Sequence, residues 1–497
     1  MKAKNIIKST FILLSTSIIS LSCSDYLDVN DNPNNPPIST PELTLPVAQQ
    51  ALAQLNGTTM MYLGQYLSVN WATPSNWSTN QEFSRYNITS TFYSTIFETS
   101  YLSIMKNLTY IDTYEDPTGA VDYSTYKAIS ATIKGFQYQY LVDLYGDIPF
   151  TEANQRGDNL TPAYDNAETV YKNVIDQLST AASLALNLPE NAEDPGTQDI
   201  IFQGDMSRWA SFANTIKLRM LVRLSNTGQE QYILDQIALI NANGAGYITE
   251  NVIANPGYSD NLEKQNPFYG YFVSPSTGIQ TSRGDYTVAS ENAITFLTNS
   301  NDNRLERLYA ESANGGYKGT VQSTSLAGTG FTSSDLSKVG PGLLVDSAQD
   351  QTIMLVSESL LLQAEAVVRG YITGSNAETL YNDAITESFI YLNVDDAETA
   401  AVAYYTQDIE NVSWEDSNDK IEAIITQKWV ALNGTSSIEL WIELTRTGFP
   451  ANLPLPAESD GLRPVRLLYP QSEVARNSNN VPSQTAQDAF TDNPFWK

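Results

Sequence analysis

Residues 126–146 read YKAISATIKGFQYQYLVDLYG. Tyr126, Ile129, Ile133, Phe136, Tyr140 and Leu144 recur three or four apart, which puts one apolar stripe on one face of an α-helix. The helix must end near Gly146, because Pro149 in the following DIPF forbids continuation. The same period predicts helices over 166–186, 205–224, 353–369, 377–392 and 419–432. Gly370 ends one of these and Asn433-Gly434 another. Helices paired across short breaks predict a mainly α fold, a tetratricopeptide-like scaffold of helical pairs. The spacing is too irregular for a strict repeat array.

Two long stretches escape the period. Residues 255–285 include QNPFYGYF and TSRGD, and residues 312–351 are rich in Gly, Ser and Thr. Both read as long loops with a few short strands. Loops of that length in a compact body are commonly functional. They predict a loop-rich, ligand-binding side on a single body spanning 43–497. The C-terminal LRPVRLLYPQSEVARN carries too many prolines for a helix and is expected to close the body as irregular chain.

The chain has no histidine, which removes histidine triads, histidine metal sites and histidine bases together. No nucleophile elbow, phosphate loop or dinucleotide fingerprint is present. No cofactor and no metal are expected. DVNDN at 28–32 lacks the glycine and distal glutamate of a calcium loop and reads as turn chemistry.

Lys2, Lys4 and Lys8 precede a short apolar run from Phe11 to Leu21, and Cys23, the single cysteine, closes the segment. A basic start, an apolar centre and a small-residue boundary are the parts of an export signal. Residues 1–22 are expected to be that signal, and 23–42, rich in Asn, Asp and Pro, an extended tether. The run is too short to span a bilayer. From Cys23 onward the chain carries 24 basic and 56 acidic side chains, a net charge of −32. That argues against nucleic acid and against an anionic membrane surface as partners. Membrane attachment is expected only through an anchor at the amino terminus.

A signal ending at a cysteine resembles that of a bacterial lipoprotein, although Ser20 stands three before the cysteine where leucine is usual. YLDVNDNPNNP, DLYGDIPF, RWASFANTIKLRMLVRLS, SESLLLQAEAVVRG, IITQKWVALNGTSSIELWIELTRTGFP and RPVRLLYPQSEVARN then follow in order. Together they resemble the SusD/RagB family of nutrient-binding outer-membrane lipoproteins. The resemblance implies lipidation of Cys23 and tetratricopeptide-like helical pairs. It also implies no enzymatic activity, and a SusC-like TonB-dependent transporter as partner, to which an oligosaccharide or a peptide is delivered.

Two aromatic groups lie off the helical stripes. Trp71, Trp77 and Tyr86 surround a proline and several asparagines. Phe268, Tyr269, Tyr271 and Phe272 flank Gly270, with Asn266 before them and Arg283 after. Aromatic planes stack on the C–H faces of sugars while amide and guanidinium groups serve the hydroxyls. Ligand contact is therefore expected of Trp71, Trp77, Tyr86, Asn266, Phe268, Tyr269, Tyr271 and Arg283. Burial under their own loops is the competing expectation. Trp209, Phe212, Ile216 and Met220 are expected in the core, with Trp429 and Trp441. Arg446, Arg463 and Arg466 are expected to pair with carboxylates such as Glu439 or Glu443. The rival function is a glycoside hydrolase, which would need two carboxylates facing each other across a cleft.

Overall fold

The computed structural model describes residues 39–497 except Ser276. The signal, Cys23 and the tether up to residue 38 lie outside the described residues. Helix α1 (Pro41–Gln54) begins the described fold, with proline in its first turn, where the missing N–H has no helical partner to lose. It starts one residue before the expected end of the tether. Next come α2 (Met61–Leu67), α3 (Ser124–Tyr145), α4 (Ala167–Leu186) and α5 (Met206–Arg223). Two short helices follow, α6 (Pro267–Phe272) and α7 (Ser282–Tyr286). The remaining scaffold is α8 (Val356–Val368), α9 (Ala377–Tyr391), α10 (Ala397–Tyr405), α11 (Lys420–Ala431) and α12 (Ile438–Thr447).

Consecutive helices pack on each other: α3 on α4 on α5, and α8 on α9 on α10, with α5 meeting α8 where the two stacks join. Helix starts follow local chemistry. Asn166, Asp205, Asn376 and Asp419 each accept backbone N–H bonds at the first turn of α4, α5, α9 and α11. Gly146 ends α3 at φ 79°, a conformation that costs most side chains energy. At Gly64 in α2 a Cβ would overlap the Ser437 carbonyl, so α2 and the start of α12 approach at backbone distance.

The stripe from Tyr126 to Leu144 is fully buried, yet α3 is not one-sided. Gln137, Tyr138, Gln139, Leu141 and Tyr145 are buried as well. The reason is position: α3 has α4 and α5 on one side and the helical segment Lys106–Asp112 on another. Trp209, Phe212, Ile216, Met220, Trp429 and Trp441 lie in the core.

The core also holds an ionic cluster. Arg223 reaches Glu439 at 2.6 Å, Glu443 at 2.9 Å and Asp143 at 3.5 Å. Lys428 lies 3.2 Å from both Glu439 and Glu443. Arg219 meets Glu358 at 3.2 Å, and Arg446 grips both oxygens of Glu365 at 2.8 Å. Burial works to raise the Glu443 carboxyl, but Arg446, Lys428 and Arg223 outweigh it and hold it well below the usual range. Burial pushes Asp143 up to about 6, against the pull of Arg223.

Several expectations are corrected. Arg446 does pair with Glu443, but Glu439 takes Arg223 and Lys428 instead. Arg463 pairs with no carboxylate among the described residues: its guanidinium donates to the carbonyls of Leu67, Leu453 and Pro454 and to the Tyr86 hydroxyl. Arg466 pairs with Asp492 and donates to the Tyr145 carbonyl. Ile353 belongs to a strand rather than a helix, because residues 351–354 pair with 252–254. The stretch 255–285 holds α6 and α7. SEVAR lies on the helix Gln471–Arg476, for which Pro470 stands at the permitted start.

Among the described residues there are two small antiparallel sheets. β1 (Trp71–Ala72) pairs with β3 (Val288–Ala289), and β2 (Val252–Ala254) with β4 (Gln351–Met354). No helix of the described residues is long and apolar enough to cross a membrane.

Candidate functional site: an aromatic face on the loop-rich side

The β1–β3 ladder sets Trp71 opposite Ala289 and Ala72 opposite Val288. It thereby joins segments more than two hundred residues apart in sequence. A third segment closes on them: Thr73 donates its N–H to Gln322 at 2.8 Å, and Leu326 donates to the Asn76 side chain at 2.8 Å. Both short helices are locally capped. Asn266 accepts from the Tyr269 N–H at 2.8 Å, with Pro267 in the first turn of α6. Thr281 accepts from the Gly284 N–H at 3.0 Å and donates to the Tyr271 carbonyl at 3.0 Å, which ties α7 to α6.

The eight candidates separate by burial. Trp71 is 1% exposed, with rings of Tyr62 at 5.5 Å and Phe272 at 5.7 Å against it. Asn266 and Phe268 are buried, one as a cap and the other as core. Tyr86 is buried too, its hydroxyl accepting from Arg463 at 3.0 Å, and it borders a separate hollow of about 290 Å³. Trp71, Asn266 and Phe268 are enclosed by protein and support the surface rather than form it, which corrects the expectation of direct contact for them.

Trp77, Tyr269 and Tyr271 are half-buried, and Arg283 is exposed. The ring of Trp77 stands edge-on to Tyr286, centroids 5.2 Å apart. Tyr271 packs edge-on to Tyr62 at 5.5 Å. The Arg283 guanidinium lies 3.9 Å from the Tyr271 ring centre and 5.1 Å from that of Tyr62. Trp77 thus connects to the α6 rings through α7: Tyr286 and Arg283 sit on that one helix, three residues apart. Tyr269 shares α6 but is tied in through its backbone.

Tyr286 was missed from sequence, though its place three after Arg283 was a usable signal. Tyr62, Tyr66 and Phe83 were also missed. Phe83 stacks on Tyr66 at 4.4 Å, and Tyr62, 5.1 Å from Tyr66 and 5.5 Å from Tyr271, connects that pair to the face. Its rim is held by Asp285, which pairs with Lys338 and accepts from Ser333 at 3.0 Å. Half-buried ring edges beside amides and a guanidinium are suited to binding a molecule with both C–H faces and hydroxyls. A separate cavity of about 650 Å³, bordered by Phe202, Arg208, Glu250, Asp350 and Tyr391, involves none of the eight.

Comparison with known proteins agrees with this architecture. Solved structures with the same fold include a chitin-binding SusD homolog from Flavobacterium johnsoniae, 20% identical, TM-score 0.74, covering 91% of this chain and 98% of that one. A SusD homolog from Bacteroides fragilis is 21% identical, TM-score 0.72, covering 92% and 99%. A SusD-like protein from Bacteroides thetaiotaomicron is 22% identical, TM-score 0.70, covering 92% and 98%. No curated protein matches the sequence. Residues 33–470 match the family described as SusD-like, starch-binding associating with outer membrane. The chain belongs to the SusD-like family of starch-binding proteins that associate with the outer membrane.

Proposed function

We propose that this protein captures an oligosaccharide on the aromatic loop face and passes it to a SusC-like TonB-dependent transporter, while a lipid on Cys23 holds it to the outer membrane. The observation that carries the proposal is the half-buried set Trp77, Tyr286 and Tyr271 beside exposed Arg283, gathered on the loop-rich side. Family membership supports glycan as the ligand class.

The role is binding without turnover. The carboxylates that the fold does gather, Asp143, Glu358, Glu439 and Glu443, are at most 3% exposed at their side chains. They are matched by Arg219, Arg223, Lys428 and Arg446. A hydrolytic pair would have to face substrate and water across an open cleft, and this set is sealed. The test is calorimetric titration of the purified protein with a panel of oligosaccharides, each mixture then assayed for released sugar. Saturable binding without product is expected. Protein-dependent product release would put the hydrolase in its place.

A further inference from the structure

Arg283 lies on the aromatic face of this acidic chain without a counter-ion. Among the described residues its side chain makes no ion pair and no hydrogen bond. The carboxylate of Glu82 is in the neighbourhood, since Glu82 and Arg283 act in opposite senses on the buried Tyr93 hydroxyl. Glu82 nevertheless forms no ion pair with the guanidinium, and Asp285 on the same helix is taken by Lys338. In a molecule of formal charge −29, acids greatly outnumber bases. An exposed guanidinium left unneutralised there is therefore notable.

Its posture matters as much as its charge. The guanidinium carbon lies 3.9 Å from the Tyr271 ring centre, a cation–π contact, and none of its N–H edges is used in a hydrogen bond among the described residues. Those edges form a rigid fork that matches the two oxygens of a carboxylate. A second cation repeats the pattern nearby. Lys318 is exposed and holds its ammonium 3.4 Å from the Phe331 ring centre; it makes no ion pair among the described residues, although, after the hydrogen bonds from Thr332, its charge helps to hold the Asp335 carboxyl below the usual range. The Lys318 backbone exchanges hydrogen bonds with Ser337, next to the Lys338 that pairs with Asp285 of α7. Arg283 and Lys318 are thus carried on linked segments.

We propose that this face selects acidic oligosaccharides, with Arg283 receiving the carboxylate of a uronic acid unit and Lys318 adding attraction, while Trp77 and Tyr286 take the sugar rings. The proposal rests on glycan capture at the aromatic face and names the class of glycan. Anionic sugar supplies the counter-charge that the protein withholds from Arg283, and in a chain of net negative charge an anion is held where cations are locally unpaired.

The test uses the purified full chain with two probes, a galacturonic acid tetramer and a neutral glucose tetramer of the maltose type. The acidic probe is expected to bind at least about tenfold tighter at low salt, and its affinity to fall as ionic strength rises. Arg283→Gln should remove that preference, Arg283→Lys should restore part of it, and neither should shift the melting temperature of this exposed site. Equal affinity for both probes, weakened by Trp77→Ala but not by Arg283→Gln, would overturn the acidic preference and leave glycan capture intact. Binding of both probes that is indifferent to Trp77→Ala and Arg283→Gln would overturn the site itself.

Discussion

Trp77 and Tyr286 meet edge to face, 5.2 Å between centroids, although 209 residues separate them in sequence. The contact holds each ring upright and half-exposed, which is how an aromatic serves a ligand instead of the core. Stacking on one aromatic contributes about 1–3 kcal/mol, and sugar faces belong near the lower end. Trp77→Ala should weaken oligosaccharide binding by about fivefold to thirtyfold. Thermal stability should barely change. Calorimetry with any bound glycan checks it, and unchanged affinity would remove Trp77 from the site.

Trp71 should behave in the opposite way. It is 1% exposed among Tyr62, Tyr66 and Phe272. Trp71→Ala should cost about 3–5 kcal/mol of stability, as large-to-small changes in cores do. Its indole N–H is buried without a partner, so Trp71→Phe forfeits no hydrogen bond and should cost markedly less. Denaturant unfolding of both variants measures the difference. Equal losses would mean that the indole itself, not its volume, is what the core needs.

The contrast between these two tryptophans shows where sequence stops being informative. Both lie in one polar segment, six residues apart, with no helical period to sort them. What sorts them is the β1–β3 ladder, which turns Trp71 inward onto rings from α2 and α6, and no local signal encodes that pairing. Helix starts are different. Asn166, Asp205 and Asp419 declare themselves because a short acceptor before an amphipathic run satisfies N–H groups within three residues. The ionic core was half legible: Arg446 and Glu443 are three apart on α12, whereas Arg223 reaches α12 from α5 only through tertiary packing. Arg283 was visible as a candidate, but its lack of a counter-ion is a property of charge placement in three dimensions.

Asp143 gives a pH prediction with a definite sign. Its folded pKa is about 6, raised by burial, while an unfolded aspartate titrates near ~3.9. Between those values the folded state keeps a proton that the unfolded state has released. The contribution of this group to stability is therefore present below about pH 4 and lost as pH rises through 6. Asp143→Asn cannot ionise. Relative to the parent, its stability should climb between pH 4 and 7 by up to about 3 kcal/mol, at about 1.36 kcal/mol per pKa unit. Taking the difference from the parent largely cancels Glu439 and Glu443, which titrate in both. A flat or falling difference would show that Asp143 is ionised throughout.

Cys23 lies outside the described residues, and its proposed role is tested in cells. Cys23→Ser should leave the signal uncut or the protein free of the membrane after fractionation. Two or more acyl chains anchor stably, at about 0.8 kcal/mol per buried CH₂, so the contrast should be nearly complete. A serine variant that is still processed and membrane-bound would defeat the lipid-anchor proposal.

Asn433 provides the test of how scaffold and site are joined. Its Oδ1 accepts from Gln65 at 2.8 Å, and its Nδ2 donates to Asn70 Oδ1 at 3.1 Å and to the Tyr309 hydroxyl at 2.9 Å. Asn70 directly precedes β1, and its carbonyl accepts from the Tyr309 hydroxyl at 2.9 Å and the Ser290 N–H at 3.0 Å. One buried amide just after α11 therefore sets the position of the strand from which the Trp77 loop departs. Asn433→Leu would strand the Gln65 amide, whose Oε1 already lacks a partner, and each buried group left unpaired costs about 1–3 kcal/mol. Stability should fall by about 3 kcal/mol or more. Because β1 loses its anchor, glycan affinity of the folded protein should fall with it, although Asn433 touches no ligand. Stability loss with affinity intact would mean that the β1–β3 ladder alone holds the aromatic face in place, independently of the helices beneath it.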